Sequence, residues 1–119
     1  MQPTLAVDFD GVIASYDGWK GYGVLGEPIE GAVETLRKLK HIGWKIIIFT
    51  TRGEEEIFEY LRQHRIPFDE INHNSNLVGS NPGKPVATCY LDDRAICFTG
   101  DWEKAFNDIT SFRSWGETV

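Results

Sequence analysis

Few cysteines, no cluster of basic residues and no long apolar run occur in the sequence, and each shortage closes off a class of protein. Cys89 and Cys97 are the 2 cysteines. They are too few for a disulfide framework, and they lack the spacing and histidine partners of a zinc site. Both are expected to be reduced and partly buried. Asp and Glu outnumber Lys and Arg by 18 to 12, for a formal net charge of −6. A wide electrostatic footprint for nucleic acid is therefore not expected, and a phosphate-bearing substrate would need cations placed locally. Met1-Gln2-Pro3-Thr4 carries no basic cluster, and the short apolar stretch after it breaks at Asp8. Neither a signal peptide nor a membrane span is expected, which points to a cytoplasmic chain. No internal repeat, linker or low-complexity tract divides the sequence. Its 119 residues, 41% apolar and 13% aromatic, suffice for one domain over residues 1–119 and not for two.

What is present alternates between two periods. Thr4-Leu5-Ala6-Val7 is a short apolar run that ends at Asp8-Phe9-Asp10-Gly11, as a buried strand ends at a functional loop. From Pro28 to Ile42 the apolar residues Ile29, Val33, Leu36 and Leu39 form a helical stripe with Gly43 as the stop. Trp44-Lys45-Ile46-Ile47-Ile48-Phe49 is too apolar to have a wet face, which predicts a central strand ending at Thr50-Thr51-Arg52-Gly53. Glu54, Glu55 and Glu56 then suit a helix N-terminus, with Ile57 and Leu61 on one face, Arg62 and Arg65 in the last turn and Pro67 as the break. Phe68 to His73 reads as a weaker strand, Asn74 to Pro85 as a loop carrying Lys84, and Thr88 to Leu91 as a strand ending at Asp92-Asp93. Ile96 to Phe98 is expected to add an edge strand. Asp101 is placed to cap a last helix bearing Trp102, Phe106, Ile109 and Phe112. Alternation of strands and helices argues for a mostly parallel sheet covered on both faces, because parallel neighbours need crossover connections.

In open parallel sheets, ligands bind beyond the carboxyl ends of the strands. Three expected strands end in reactive residues: Asp8 and Asp10, Thr50, and Asp92 and Asp93. Four carboxylates drawn together repel one another, so they either retain protons or surround a hard divalent cation, for which Mg²⁺ is the natural occupant. Thr50 and Lys84 would then hold the oxygens of a phosphate monoester. Asp-x-Asp spacing turns two carboxylates toward one side of an extended segment. One can act as nucleophile, Asp8, while the other, Asp10, protonates the departing alkoxide and later activates water.

Each of these residues also has a plain structural role. Asp-Phe-Asp-Gly suits an ordinary strand-to-turn junction, Thr50 a strand end, Lys84 a solvated loop, and Asp92-Asp93 the cap of a turn. Their order along the chain, each at or near a strand edge, is harder to obtain from structural needs alone.

Val7-Asp8-Phe9-Asp10-Gly11-Val12, Ile48-Phe49-Thr50-Thr51-Arg52, Lys84-Pro85 and Leu91-Asp92-Asp93-Arg94 resemble the four motifs of the haloacid dehalogenase (HAD) superfamily, over nearly the whole chain. Gly26-Glu27-Pro28-Ile29 also resembles short HAD-type hydrolases of bacteria and their phages. The resemblance implies a three-layer Rossmann-like α/β fold with a mostly parallel central sheet and a short flap insert. It implies a phosphatase with Asp8 as nucleophile, Asp10 as general acid and base, and Thr50 and Lys84, with Thr51 alongside, as phosphate binders. Mg²⁺ would be held by Asp8, the Asp10 carbonyl and Asp93, with Asp92 behind them. Dehalogenases of this superfamily lack a carboxylate at the Asp10 position, so phosphate chemistry is the expectation. Only about twenty residues separate Asp10 from the next helix, too few for a cap domain.

A capless site would admit a phosphoprotein or polynucleotide end, or a small metabolite enclosed by the partner subunit of a homo-oligomer. Tyr16, Trp19 and Tyr22 suit either a flap that stacks on a base or sugar, or aromatics that anchor a loop. Arg52 and Arg94 suit either a phosphate contact or pairing with the acids. His41, His64 and His73 have no spacing that suggests a metal. Phosphoacceptor receiver domains use similar residues, but they place the paired acids early and Lys last, whereas here the pair follows Lys84. A HAD-like interaction module without catalysis is a third reading, against which all four motifs keep competent residues.

Overall fold

The computed structural model describes residues 2–76 and 83–116. Its centre is the isoleucine run, in which Ile46, Ile47 and Ile48 are all 0% exposed. At roughly 1.5–3 kcal/mol for each fully buried aliphatic side chain, this run is a large contributor to folding. Strand β2 (Lys45–Phe49) pairs in parallel with β1 (Thr4–Asp8) on one side and β3 (Glu70–Ile71) on the other, and β4 (Cys89–Leu91) pairs in parallel with β1. The order is therefore β3-β2-β1-β4, an α/β sheet with β1 and β2 at its centre and no cap domain among the described residues. The register aligns Asp8 with Phe49 and Val7 with Leu91, so the polar segments after β1, β2 and β4 emerge at one edge.

Helices α1 (Ala32–His41) and α2 (Glu54–Gln63) supply Leu36, Ile57 and Leu61 to a core shared with Leu5, Val7, Phe9, Ile46 and Ile48. The alternation of strand side chains puts Thr4, Ala6, Lys45 and Ile47 on the opposite face. There Lys45 Nζ donates to Asn74 Oδ1 (3.2 Å), Ser75 Oγ (3.1 Å) and Asn76 Oδ1 (3.0 Å), and pairs with Glu70 at 2.5 Å. A buried ammonium thus ties the segment after β3 to the sheet. Burial raises the Glu70 carboxyl, but bonds from Lys45 and Ser75 outweigh it and hold the group down at about 2, below its usual 4.5. A depressed acid stabilises the fold fully above its unfolded value, and that contribution is lost as pH falls from 4.5 towards about 2. Lys45→Met, which strands Glu70 without its cation, is expected to cost about 3 kcal/mol in urea denaturation. It should also remove this acid-range dependence.

Several boundaries differ from the sequence expectation for identifiable reasons. Helix α1 starts at Ala32 rather than near Pro28, because Pro28 bridges Ala14 and Gly31 takes φ +93° at the N-cap. Arg65 lies past α2 in a left-handed turn, φ 56°, which drops Ile66 into the core at 3% exposure. Strand β3 is cut to two residues because Asn72 also turns left-handed, φ 55°. Residues 96–98 form no strand, so β4 is the sheet edge among the described residues. Cys89 and Cys97 are free as expected, but exposed rather than partly buried. Helix α3 (Trp102–Thr110) begins at Asp101, whose carboxylate accepts from the Glu103 and Lys104 amides. Its Trp102, Phe106 and Ile109 are exposed, with only Ala105 buried. No helix among the described residues is long and apolar enough to cross a membrane.

Candidate active site

Asp8 closes β1, and Asp92 and Asp93 follow β4 directly. Because β1 and β4 are parallel neighbours, one carboxylate oxygen from each of the three residues lies within 4.8 Å of the others. Burial, a hydrogen bond shared with Asp93 and the charge of Asp92 push the Asp8 carboxyl up to about 7. The structure thus joins three of the four acids expected from sequence, leaving out the Asp10 carboxylate, at the electrostatic cost anticipated for such a cluster.

Room for Asp93 depends on Gly11. This buried glycine has φ +85°, and a Cβ there would lie 2.3 Å from Asp93 Oδ2. Gly11→Ala therefore meets both a left-handed backbone and a collision with a carboxylate of the cluster. The expected result is a loss of about 1–3 kcal/mol in thermal unfolding, accompanied by weaker Mg²⁺ stabilisation of the folded state.

Asp10 turns to a different partner. Its Oδ2 accepts from Arg52 Nε at 2.7 Å, and the Arg52 side chain is only 3% exposed. Asp10 Oδ1 is buried with no hydrogen-bond partner, as is Asp93 Oδ1. Arg52 also lies 3.8 Å from Glu56 and stacks over Trp19 at 5.0 Å from the ring centroid. Of the two roles weighed for Arg52, pairing with an acid is the one seen. The bond it donates to Asp10 holds its guanidinium firmly protonated.

Thr50 follows β2, 9% exposed. Its Oγ1 accepts from the Arg52 amide at 3.1 Å, which leaves the hydroxyl proton for another acceptor. Asn72 clamps its backbone from β3's end, Oδ1 accepting from Thr50 N and Nδ2 donating to Thr50 O, each at 2.8 Å. Asn72 went unmarked in the sequence because a lone asparagine at a weak strand end carries no distinctive spacing. Thr51 is exposed beside Thr50. Lys84 is not brought to the carboxylates in the same way: its ammonium sits over the Tyr90 ring, 4.5 Å from the centroid, and it does not line the cavity described next.

A cavity of about 1030 Å³ opens beside Asp93 and Gly11. One wall is the insert after Asp10, closed at its base by Ser15 N–H to Glu27 O (2.8 Å) and Ile29 N–H to Ile13 O (2.7 Å). The insert is tied to α2 by the Gly23 amide, which donates to Glu56 (3.1 Å), and by Tyr60, whose hydroxyl donates to Gly26 O (2.6 Å). Burial, then Glu27 and Asp10, push Tyr60 up to about 12, so it remains a donor. The segment after α3 also lines the cavity, with Ser114 and Trp115. Sequence reading did not mark this segment, since nothing in its composition says where it returns.

The donor set suits a hard divalent cation. It consists of carboxylate oxygens and includes a buried orphan on Asp93.

No protein-family model matches the sequence, and no curated protein matches it. Among solved structures, the chain is similar to a conserved protein coded by a locus of Bacteroides thetaiotaomicron, with 28% sequence identity and a TM-score of 0.65. The likeness covers 97% of this chain and 95% of that one, so the Rossmann-like α/β fold is shared over nearly the full length of both.

Proposed function

We propose that this chain is a Mg²⁺-dependent phosphohydrolase of the HAD type, which hydrolyses a phosphate monoester through an aspartyl-phosphate on Asp8. The observation that carries this reading is the meeting of Asp8, Asp92 and Asp93 within 4.8 Å, at strand ends shared with Asp10 and Thr50. Asp8 and Asp93 would hold the cation together with the Asp10 carbonyl. Asp92 is the weaker candidate, because its Oδ1 already accepts from the Arg94 amide at 2.8 Å. Bound Mg²⁺ would offset the carboxylate charges and polarise a phosphoryl oxygen.

In the proposed reaction, an Asp8 carboxylate oxygen attacks phosphorus and the ester P–O bond breaks. Arg52 occupies Asp10 Oδ2, so the proton for the leaving oxygen comes from Oδ1. Asp10 next takes a proton from water. That water attacks phosphorus, the bond to Asp8 breaks, and inorganic phosphate leaves. The Thr50 hydroxyl donates to a phosphoryl oxygen as charge redistributes. The test is Mg²⁺-dependent release of phosphate from an aryl phosphate, followed over many turnovers. Release that stops at one equivalent per chain indicates a phosphoacceptor instead, and none at all rejects the chemistry.

A further inference from the structure

We infer that Trp115 determines the substrate specificity of this site by stacking on the planar ring of a mononucleotide-sized phosphomonoester. The inference rests on the proposed phosphohydrolase reading and adds the substrate class to it. Trp115 Nε1 donates to the Gly11 carbonyl at 2.8 Å, which fixes the indole three residues from the nucleophile and beside the glycine that Asp93 overlies. The flanks hold it there: Ser114 is 7% exposed, and a Cβ on Gly116 would lie 3.5 Å from the Tyr16 carbonyl of the insert. Yet Trp115 itself is 69% exposed. An indole anchored by its N–H, with most of its surface unburied, gains little from the hydrophobic effect in the free protein.

The cavity explains what such a ring is placed for. Trp115 and Tyr16 both line it, together with Gly11 and Asp93 from the carboxylate cluster. Its volume of about 1030 Å³ is that of a whole small-molecule site. A ligand whose phosphate lies at the carboxylates would extend its remaining bulk into a cavity lined by two aromatic side chains, Trp115 and Tyr16. A planar base satisfies that arrangement through stacking, which an acyclic or sugar phosphate cannot match. The segment after α3 thus supplies a wall that a cap domain would otherwise provide.

The experiment compares phosphate release from adenosine 5′-monophosphate and ribose 5-phosphate by the full chain, Trp115→Phe and Trp115→Ala, with Mg²⁺ present. Trp115→Ala is expected to lower kcat/KM for the nucleotide by about 5- to 150-fold, the usual worth of one stacked base. The value for ribose 5-phosphate should change little, and Trp115→Phe, which keeps a ring, should retain most of the preference. Equal use of both substrates by the unaltered chain, or an equal fall for both in Trp115→Ala, overturns the inference. Unchanged melting temperatures confirm that the variants fold, and Trp115→Phe keeps the question open to refutation if the alanine form does not. Absence of phosphate release from every substrate, aryl phosphate included, defeats the phosphohydrolase proposal instead. Calorimetric binding of adenosine 5′-monophosphate then still decides on Trp115: weaker binding to Trp115→Ala supports it, and equal binding refutes it.

Discussion

Asp8→Asn is expected to lower multiple-turnover phosphate release by at least about 10⁴-fold, because an amide in that position cannot form the acyl phosphate on which the rest of the proposed sequence depends. The same substitution should raise the melting temperature of the cation-free protein. In that state Asp8 is half-buried and faces two further carboxylates, and its carboxyl is held up at about 7 by those surroundings. A neutral side chain of the same size relieves the repulsion. Mg²⁺ bound as proposed would stabilise the unaltered protein by binding the folded form alone, so its effect on melting should shrink in the variant. Activity and cation-free stability thus move in opposite directions. Retained turnover in Asp8→Asn would place the nucleophile elsewhere, and a lower melting temperature would mean that Asp8 supports the fold rather than straining it.

Asp10→Asn is the second large effect, with an expected loss of about 10²–10⁴ in kcat, the usual contribution of a positioned acid and base. Its geometry separates it from the cation cluster. One oxygen is committed to the nearly fully buried Arg52, and the other lies buried without a partner. An asparagine retains an oxygen for Arg52 but has no proton to exchange with a leaving group or water. Mg²⁺ titration monitored by melting should therefore be nearly unchanged, since the backbone carbonyl of residue 10 remains. A parallel loss of Mg²⁺ affinity and rate would make Asp10 a side-chain ligand instead. The rate deficit should also be smallest for aryl phosphates, whose leaving groups depart without protonation.

Much of the architecture could be read directly from side-chain periodicity. The isoleucine run had to be a buried strand because no register of it leaves a polar face, and the apolar run before Asp8 led to its parallel neighbour. Asp101 announced the last helix through the cap it forms. Reactive residues at the ends of adjacent strands followed from the same pattern, and Asp8 does meet Asp92 and Asp93. Boundaries were less legible where a single left-handed residue, Arg65 or Asn72, ended an element that its composition could have continued.

Local sequence thus determined which segments are strands and helices, and that acids, a hydroxyl and an arginine stand where strands end, because period and capping act within a few residues. Tertiary structure alone decided who meets whom. It gave Arg52 to Asp10, Asn72 to Thr50, Lys45 to Glu70 and the Trp115 indole to Gly11. These partners are separated by 22 to 104 residues, apart in sequence but adjacent once parallel strands and the returning segment are packed. No pattern confined to neighbouring positions encodes such pairings, which depend on the direction each chain segment takes after leaving the sheet.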